Sequence, residues 1–219
     1  MRLLQGQNGR AGFAVFGLVF MISGIILAAG ASSRMGHVKA ALPLGQTGET
    51  VLSRVVKALL DGGAPNVVVV AGAHVDAVRS AMPVTVRARI IEHGGWQNGQ
   101  LSSLLAGLDA IDDPLLEAAL VTPVDVPLVR SSTVAEVIAA WRRTRAPIVR
   151  PAVGERHGHP VMFDRSVFGD LRSADLSVGA KAVFAVHRDR ILNVQVEDAG
   201  AFEDIDTPAD YERIRGLGA

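Results

Sequence analysis

The sequence predicts an α/β fold, a three-layer sandwich built on a mostly parallel central sheet. Three observations point there. Apolar runs of strand length alternate with helix-like stretches along most of the chain. The first such run, Ile22 to Leu27, opens directly into a loop of small residues. A chain of 219 residues with 49% apolar content can also fill one complete core.

The strands are expected at 22–28, 66–71, 86–91, 118–122, 147–150, 160–163 and 191–197. Thr50 is placed to cap a helix from Val51 to Leu60, which Gly62 and Gly63 stop. A second helix is expected over Ala73–Ala81, ended by Pro83. Ser102 or Ser103 opens a third, running to about Ile111, and Ser131-Ser132-Thr133 caps a fourth, to Arg143. A short helix follows Asp175-Leu176-Ser177, around Lys181 to Val186, and Thr207-Pro208 starts the last, with proline at a first helical position. The stretch 150–190 breaks the alternation. It is expected to form a small subdomain over the carboxyl edge of the sheet, where ligands bind in open α/β sheets.

Bulk properties exclude several classes. Formal net charge is zero, so there is no electrostatic footprint for nucleic acid. There is no cysteine, which excludes disulfides, thiolate metal sites and a cysteine nucleophile, and fits a reducing cytoplasm. One stretch pulls the other way. Ala11 to Ser33 carries no charge, and Phe13 to Leu27 reads alone as a membrane span or a signal h-region, with Ala28-Ala29-Gly30-Ala31 as a cleavage site. The reading preferred here is a central strand at Ile22–Leu27 preceded by an apolar extension, residues 1–20, that reflects an over-long start or a tail. The domain then spans 21–219.

Residues 27–39 carry the most specific signal. Leu27-Ala28-Ala29-Gly30-Ala31-Ser32-Ser33-Arg34-Met35-Gly36-His37-Val38-Lys39 begins with small residues that let backbone approach a ligand, and it ends with two cations. Successive N–H groups in such a loop make an anion-binding concavity. The dinucleotide fingerprint is excluded because no glycine lies between Gly30 and Gly36, and the P-loop because His37 follows Gly36. A strand leading into a small, N–H-rich, dibasic loop suits a triphosphate.

A triphosphate needs a divalent cation, and Mg²⁺ prefers one or two carboxylates beside phosphate oxygens and water. Two acids are well placed. Asp125 ends an apolar run between Pro123 and Pro127, and Asp206 precedes the last helix. Each has a plainer reading, Asp125 as a solvated turn acid and Asp206 as a helix cap. Gly72 ends the second strand near the first loop, where its backbone can line a base pocket. Ser103 is either an ordinary cap or a hydroxyl facing the nucleotide. Trp96 reads as a packing residue.

The first loop resembles the signature of the MobA-like nucleotidyltransferase superfamily, L-A-A/G-G-x-S-x-R-M-G-x-x-K, matched here at Leu27, Ala28, Gly30, Ser32, Arg34, Met35, Gly36 and Lys39. Three further elements resemble that family in its order: Trp96 to Leu104, the D-x-P acid Asp125, and Asp204-Ile205-Asp206-Thr207-Pro208-Ala209-Asp210-Tyr211. Arg156-His157-Gly158-His159-Pro160-Val161 resembles R-G-H-P-V of the molybdenum cofactor cytidylyltransferase branch. One departure is Val124, where many members carry glycine.

The resemblance implies a Rossmann-like sandwich of the nucleotide-diphospho-sugar transferase type and a Mg²⁺-dependent transfer of an NMP onto a phosphorylated acceptor. It implies Asp125 and Asp206 as metal ligands, and Arg34, Lys39 and Asp125 as catalytic groups. Nucleotide contacts fall on Leu27, Ala28, Ala29, Gly30, Ser32, Ser33, Arg34, Gly36, Lys39, Gly72, Ser103 and Asp125, and acceptor contacts on Arg156 and His159. Alanine at position 29, where guanylyl-transferring relatives usually show a second glycine, favours CTP. The acceptor implied is molybdopterin or molybdenum cofactor, with a molybdenum hydroxylase as a partner this allows. Guanylyl or sugar-phosphate nucleotidyl transfer on the same fold, and a non-catalytic nucleotide- or cofactor-binding module, stand as alternatives.

Overall fold

The computed structural model describes residues 21–45 and 48–215. The apolar extension assigned to residues 1–20 lies outside them. Strand β1 (Met21–Ala28) is followed by a small hairpin, β2 (Pro43–Leu44) with β3 (Glu49–Thr50), and then by α1 (Val51–Asp61), β4 (Val67–Ala71), α2 (Val75–Ser80), β5 (Ala88–Glu92), α3 (Gln100–Ala110), β6 (Leu116–Pro123) and α4 (Ser131–Thr144). The second half holds β7 (Ile148–Val153), β8 (Arg156–His157), β9 (Val161–Asp164), α5 (Phe168–Ser173), α6 (Lys181–Val186), β10 (Ile191–Gln195) and α7 (Pro208–Ile214).

The main sheet runs β10-β7-β9-β6-β1-β4-β5, with β8 paired to β7. All neighbours along this order are parallel except β9, which is antiparallel to both β6 and β7. The segment 150–190 is therefore not a separate subdomain. Its strand β9 sits inside the main sheet, and only the loop and short helices after it lie beside the carboxyl edge. Sequence reasoning also missed α5, β8 and the β2–β3 hairpin, which are short and carry little periodic signal.

Strand β1 lies at the centre, paired with β4 on one side and β6 on the other. It is buried from Ile22 onward. Hence Ile22–Leu27 is a sheet strand, and the membrane-span reading of Phe13–Leu27 fails over this half. Among the described residues no helix is long and apolar enough to cross a membrane. Two core clusters flank the sheet. One packs α1 and α4 on one face, with Val51, Leu52, Val55, Leu59 and Trp141 fully buried, and the other packs α3, α5 and α6 on the opposite face. In α3, Gly107 lets the helix press onto β1; a Cβ there would lie 2.7 Å from Ile25 Cγ2. A mid-helix glycine costs about 1 kcal/mol against alanine, so the close approach has to offset it.

Capping divides between expected and unexpected devices. Thr50 caps α1 in a reciprocal box with Ser53, as the sequence suggests. Ser131-Ser132-Thr133 does not cap α4. Asp198, far away in sequence and 3% exposed, accepts from the Arg130 N–H (2.9 Å), the Thr133 hydroxyl (2.6 Å) and the Gly200 N–H (3.1 Å). This carboxylate ties the carboxyl-terminal segment to α4, which supports the loop carrying Asp125. Asp198→Ala leaves three donors without their acceptor and should lower unfolding free energy by about 1–3 kcal/mol. Urea denaturation checks this, and an unchanged midpoint would contradict it.

Candidate active site

The carboxyl ends of β4, β1 and β6 converge, and the loops leaving them form a cavity of about 400 Å³. Ligands in open α/β sheets bind at such edges, where connections diverge from a central strand. The first loop, 29–38, turns tightly here. Ser32 holds φ +52°, Gly36 φ +71°, and the Met35 N–H donates to the Ser32 carbonyl at 3.0 Å. The Lys39 N–H donates to Ser32 Oγ at 3.3 Å. Gly30 stands apart, since a Cβ added there meets no protein atom within 4 Å although the residue lines the cavity. Its small size keeps cavity space open and is not needed for packing.

The two acids arrive by different routes and meet. Asp125 follows β6, where the Val124 N–H donates to the Leu27 carbonyl at 3.0 Å. Asp206 sits one residue before Thr207, which caps α7 in a reciprocal box with Asp210. Because Thr207 does the capping, the Asp206 carboxylate is released from that role. The Ile205 N–H donates to the Asp125 backbone carbonyl at 2.8 Å, and the Ile205 side chain is fully buried. Main-chain bonding therefore fixes the acids side by side.

Between them lies Lys39. Its Nζ is 3.0 Å from Asp125 Oδ2 and 2.7 Å from Asp206 Oδ1, with its side chain only 12% exposed. Arg34 Nη1 reaches Asp206 Oδ2 at 2.7 Å from an exposed position. Two carboxylates and two cations make a neutral cluster. Burial alone would lower the Lys39 pKa, but the hydrogen bond to Asp206 and the Asp125 charge outweigh it and raise the net value. The hydrogen bond from Lys39 is the main cause holding Asp206 below the ordinary carboxylate range, against a smaller effect of burial. The Asp206 contribution to stability is present above the ordinary carboxylate pKa and is lost as pH falls through the depressed value. The Lys39 contribution is present below the ordinary lysine pKa and is lost as pH rises through the raised value. Throughout the interval between them all these charges stand in place.

Of the residues expected at the site, the cavity brings together Leu27, Ala28, Ala29, Gly30, Ser32, Ser33, Arg34, Lys39, Ser103, Asp125 and Asp206. Ser103 is not a cap. Helix α3 begins at Gln100 after Gly99 (φ +96°), and Ser103 lies buried in its first turn. Gly72 stands behind the first loop: a Cβ there would meet the Ala29 carbonyl oxygen at 2.6 Å and Trp96 Cβ at 2.7 Å. Gly36 shapes the turn without lining the cavity. Val124 is 8% exposed and packs into the larger core, so only its edge borders the cavity.

His159 and Arg156 are not in this cavity. His159 lines a second, adjoining one, and Arg156 is exposed on β8 with its guanidinium 5.6 Å from the Phe202 ring. Trp96, Gln97, Gly99 and Gln100 line the first cavity and were missed as site residues. The Trp96-to-Leu104 element was the available signal. Among the described residues no group of three or more His, Cys, Asp or Glu forms a metal cage. The Asp125–Asp206 pair is a hard oxygen donor set already converging on a cation, and it fits an ion whose remaining ligands come from phosphate and water.

The chain belongs to the MobA-like NTP transferase domain family, which matches residues 24–191. It is 31% identical over 161 residues to a probable molybdenum cofactor guanylyltransferase of Mycolicibacterium paratuberculosis, covering 69% of this chain and 78% of that one. It is 29% identical over 201 residues to the nicotine blue oxidoreductase of Paenarthrobacter nicotinovorans, covering 88% and 96%. A Mycobacterium tuberculosis protein superposes with a TM-score of 0.75 at 27% identity, covering 88% of this chain and 96% of that one, and has also been solved in complex with manganese.

Burial, above all, lowers the His159 pKa, against weaker opposing effects of the Asp125 charge, the Val121 carbonyl and the Asp204 charge. As pH falls through the ordinary histidine range near 6.5, the unfolded chain takes up this proton before the folded ring does. Stability contributed by the neutral ring is therefore full above that range and lost below it. The thermal midpoint should drop between about pH 6.5 and pH 5, and His159→Gln should flatten the drop. An equal slope in the variant would contradict the assignment.

Proposed function

We propose that this protein transfers a nucleoside monophosphate from an NTP onto a phosphorylated acceptor of the molybdopterin type, releasing pyrophosphate. The observation that carries the reading is the convergence of Asp125 and Asp206 on Lys39 at the mouth of the Gly30–Arg34 loop. A neutral cluster cannot offset a triphosphate. If Lys39 and Arg34 turn toward phosphate oxygens, both carboxylates are left unpaired. A divalent cation restores the balance, and we propose Mg²⁺, held by Asp125 and Asp206. When bound it supplies charge neutralisation on the triphosphate. The manganese complex of the Mycobacterium tuberculosis relative supports a divalent ion in this fold.

The chain's own residues then do the following. Backbone N–H groups of the first loop receive phosphate oxygens, and Lys39 and Arg34 offset charge on the α-phosphate and the leaving pyrophosphate. Gly72, Ala29 and Ser103 border the nucleoside. The acceptor phosphate is already anionic at neutral pH, its second pKa being about 6, so no strong general base is required. An acceptor oxygen forms the new bond to the α-phosphorus while the bond to the pyrophosphate oxygen breaks. Catalysis is positioning and charge stabilisation.

Alanine at position 29 supports CTP as donor. The relative named as a guanylyltransferase supports GTP at least as well. The oxidoreductase name of another relative is a reminder that fold alone does not define a reaction. Pyrophosphate release with CTP and GTP side by side, with and without molybdenum cofactor, tests the reading. Asp125→Ala should abolish turnover with the fold intact, and Lys39→Ala should slow it by about 10²–10³-fold. Normal turnover in the first variant would remove the metal-site proposal, and an unchanged rate in the second would make the loop's cations ornamental.

Gly30→Ala adds a methyl group that meets open space. Its stability should stay within about 0.5 kcal/mol of wild type. Its NTP affinity should fall about tenfold or more, read by calorimetry. Unchanged affinity would mean that phosphates do not approach this loop.

A further inference from the structure

A second chamber of about 400 Å³ adjoins the first and shares Leu27, Gly99, Gln100 and Pro123 with it. That volume lies in the small-ligand range of roughly 300–1,000 Å³. Its walls have a different chemistry. Leu104, Val121, Val161, Phe163 and Phe184 line it, and the two phenylalanine rings meet edge to face with centroids 5.8 Å apart. The loop before α6 completes it with Leu176 and Val178, which remain 41% and 53% exposed.

This loop is held without help from those two side chains. The Asp175 carboxylate accepts from the Ser177 N–H at 2.8 Å and the Ser177 hydroxyl at 2.7 Å. The Gly179 N–H donates to the Asp175 carbonyl at 2.9 Å, with Gly179 at φ +74°. A fixed loop thus presents uncovered apolar surface to a cavity, and such surface commonly marks a binding site.

Polar groups in the chamber are few. Lys181 is its cation, and His159 is its buried ring. The His159 Nδ1 is buried without a hydrogen-bond partner. A neutral imidazole has one donor and one acceptor nitrogen. The Val121 carbonyl beside the ring favours the proton on the nitrogen that faces it. The other nitrogen is left as an acceptor.

We infer that this chamber seats the ring system of the acceptor, and that it selects a flat, apolar-faced heterocycle with an N–H or O–H donor for His159 over a polyhydroxylated sugar. The inference rests on the nucleotidyl-transfer reading. A flat ring covers Leu176 and Phe184 and satisfies one acceptor. A sugar brings several hydroxyls to walls that offer them almost no partners. A phosphate carried on the ring reaches Asp125 and Lys39 across the shared border at Gln100 and Pro123. His159 is then a specificity-determining residue, and 175–181 is the acceptor loop.

Calorimetry on the full chain tests this with flavin mononucleotide and pyridoxine 5′-phosphate as flat-ring probes and glucose 1-phosphate as the sugar probe. Both ring phosphates should bind at least tenfold more tightly than glucose 1-phosphate. Leu176→Asp, at an exposed loop position, and His159→Phe, which keeps a ring without the nitrogen, should each cost the ring phosphates tenfold or more. Glucose 1-phosphate should not respond to either variant. Sugar phosphate binding as tightly as the ring phosphates, or ring phosphates indifferent to Leu176→Asp, would overturn the inference. NTP binding without binding of either ring phosphate would also overturn it while leaving nucleotidyl transfer standing. Ring-phosphate binding without NTP binding would overturn nucleotidyl transfer and keep the chamber's preference.

Discussion

The Lys39 ammonium, shared between Asp125 and Asp206, is the contact on which the site depends. It does not hold the fold together. Ion pairs this close to solvent contribute about 0–1 kcal/mol each. What holds the acids in place is backbone, the Ile205–Asp125 bond and the Val124–Leu27 bond, together with an Ile205 side chain sunk in the core. The cluster is better understood as a charge reservoir. Its two cations are satisfied by two carboxylates until a polyanion offers something stronger, and the carboxylates are then free for a metal ion.

Much of the fold was legible because the sheet is buried on both faces. Val67–Val70 and Ile22–Leu27 read as continuous apolar runs since neither face meets water. Antiparallel β9 was legible as a strand from Val161 to Phe163, but its direction was not, because direction carries no periodic signature. The cap of α4 could not be found by inspection of its own neighbourhood. Three hydroxyl residues occupy the expected place, yet Asp198 makes the cap from across the sequence. A buried carboxylate reached through tertiary contact outcompetes a local hydroxyl, and only folding reveals it.

The site was legible where chemistry requires a residue type at a chain turn. The first loop, Lys39 and the two acids meet as their spacing suggested. Asp206 was ambiguous between cap and ligand until Thr207 and Asp210 were seen to complete the cap themselves. The second chamber was largely invisible beforehand. Its lining residues Leu176, Val178 and Phe184 look like any apolar loop and helix in sequence, and only His159 hinted at it. Alanine at 29 and valine at 124 bear on the nucleotide through packing, and packing is set by neighbours that the sequence does not place side by side.

The most direct test of the central claim is a crystal structure of the protein grown with NTP and Mn²⁺, with anomalous scattering locating the metal. The account predicts one manganese ion between the Asp125 and Asp206 carboxylates, and the Lys39 Nζ moved onto a phosphate oxygen. Lys39 still bridging both carboxylates, with the metal bound elsewhere, would contradict it.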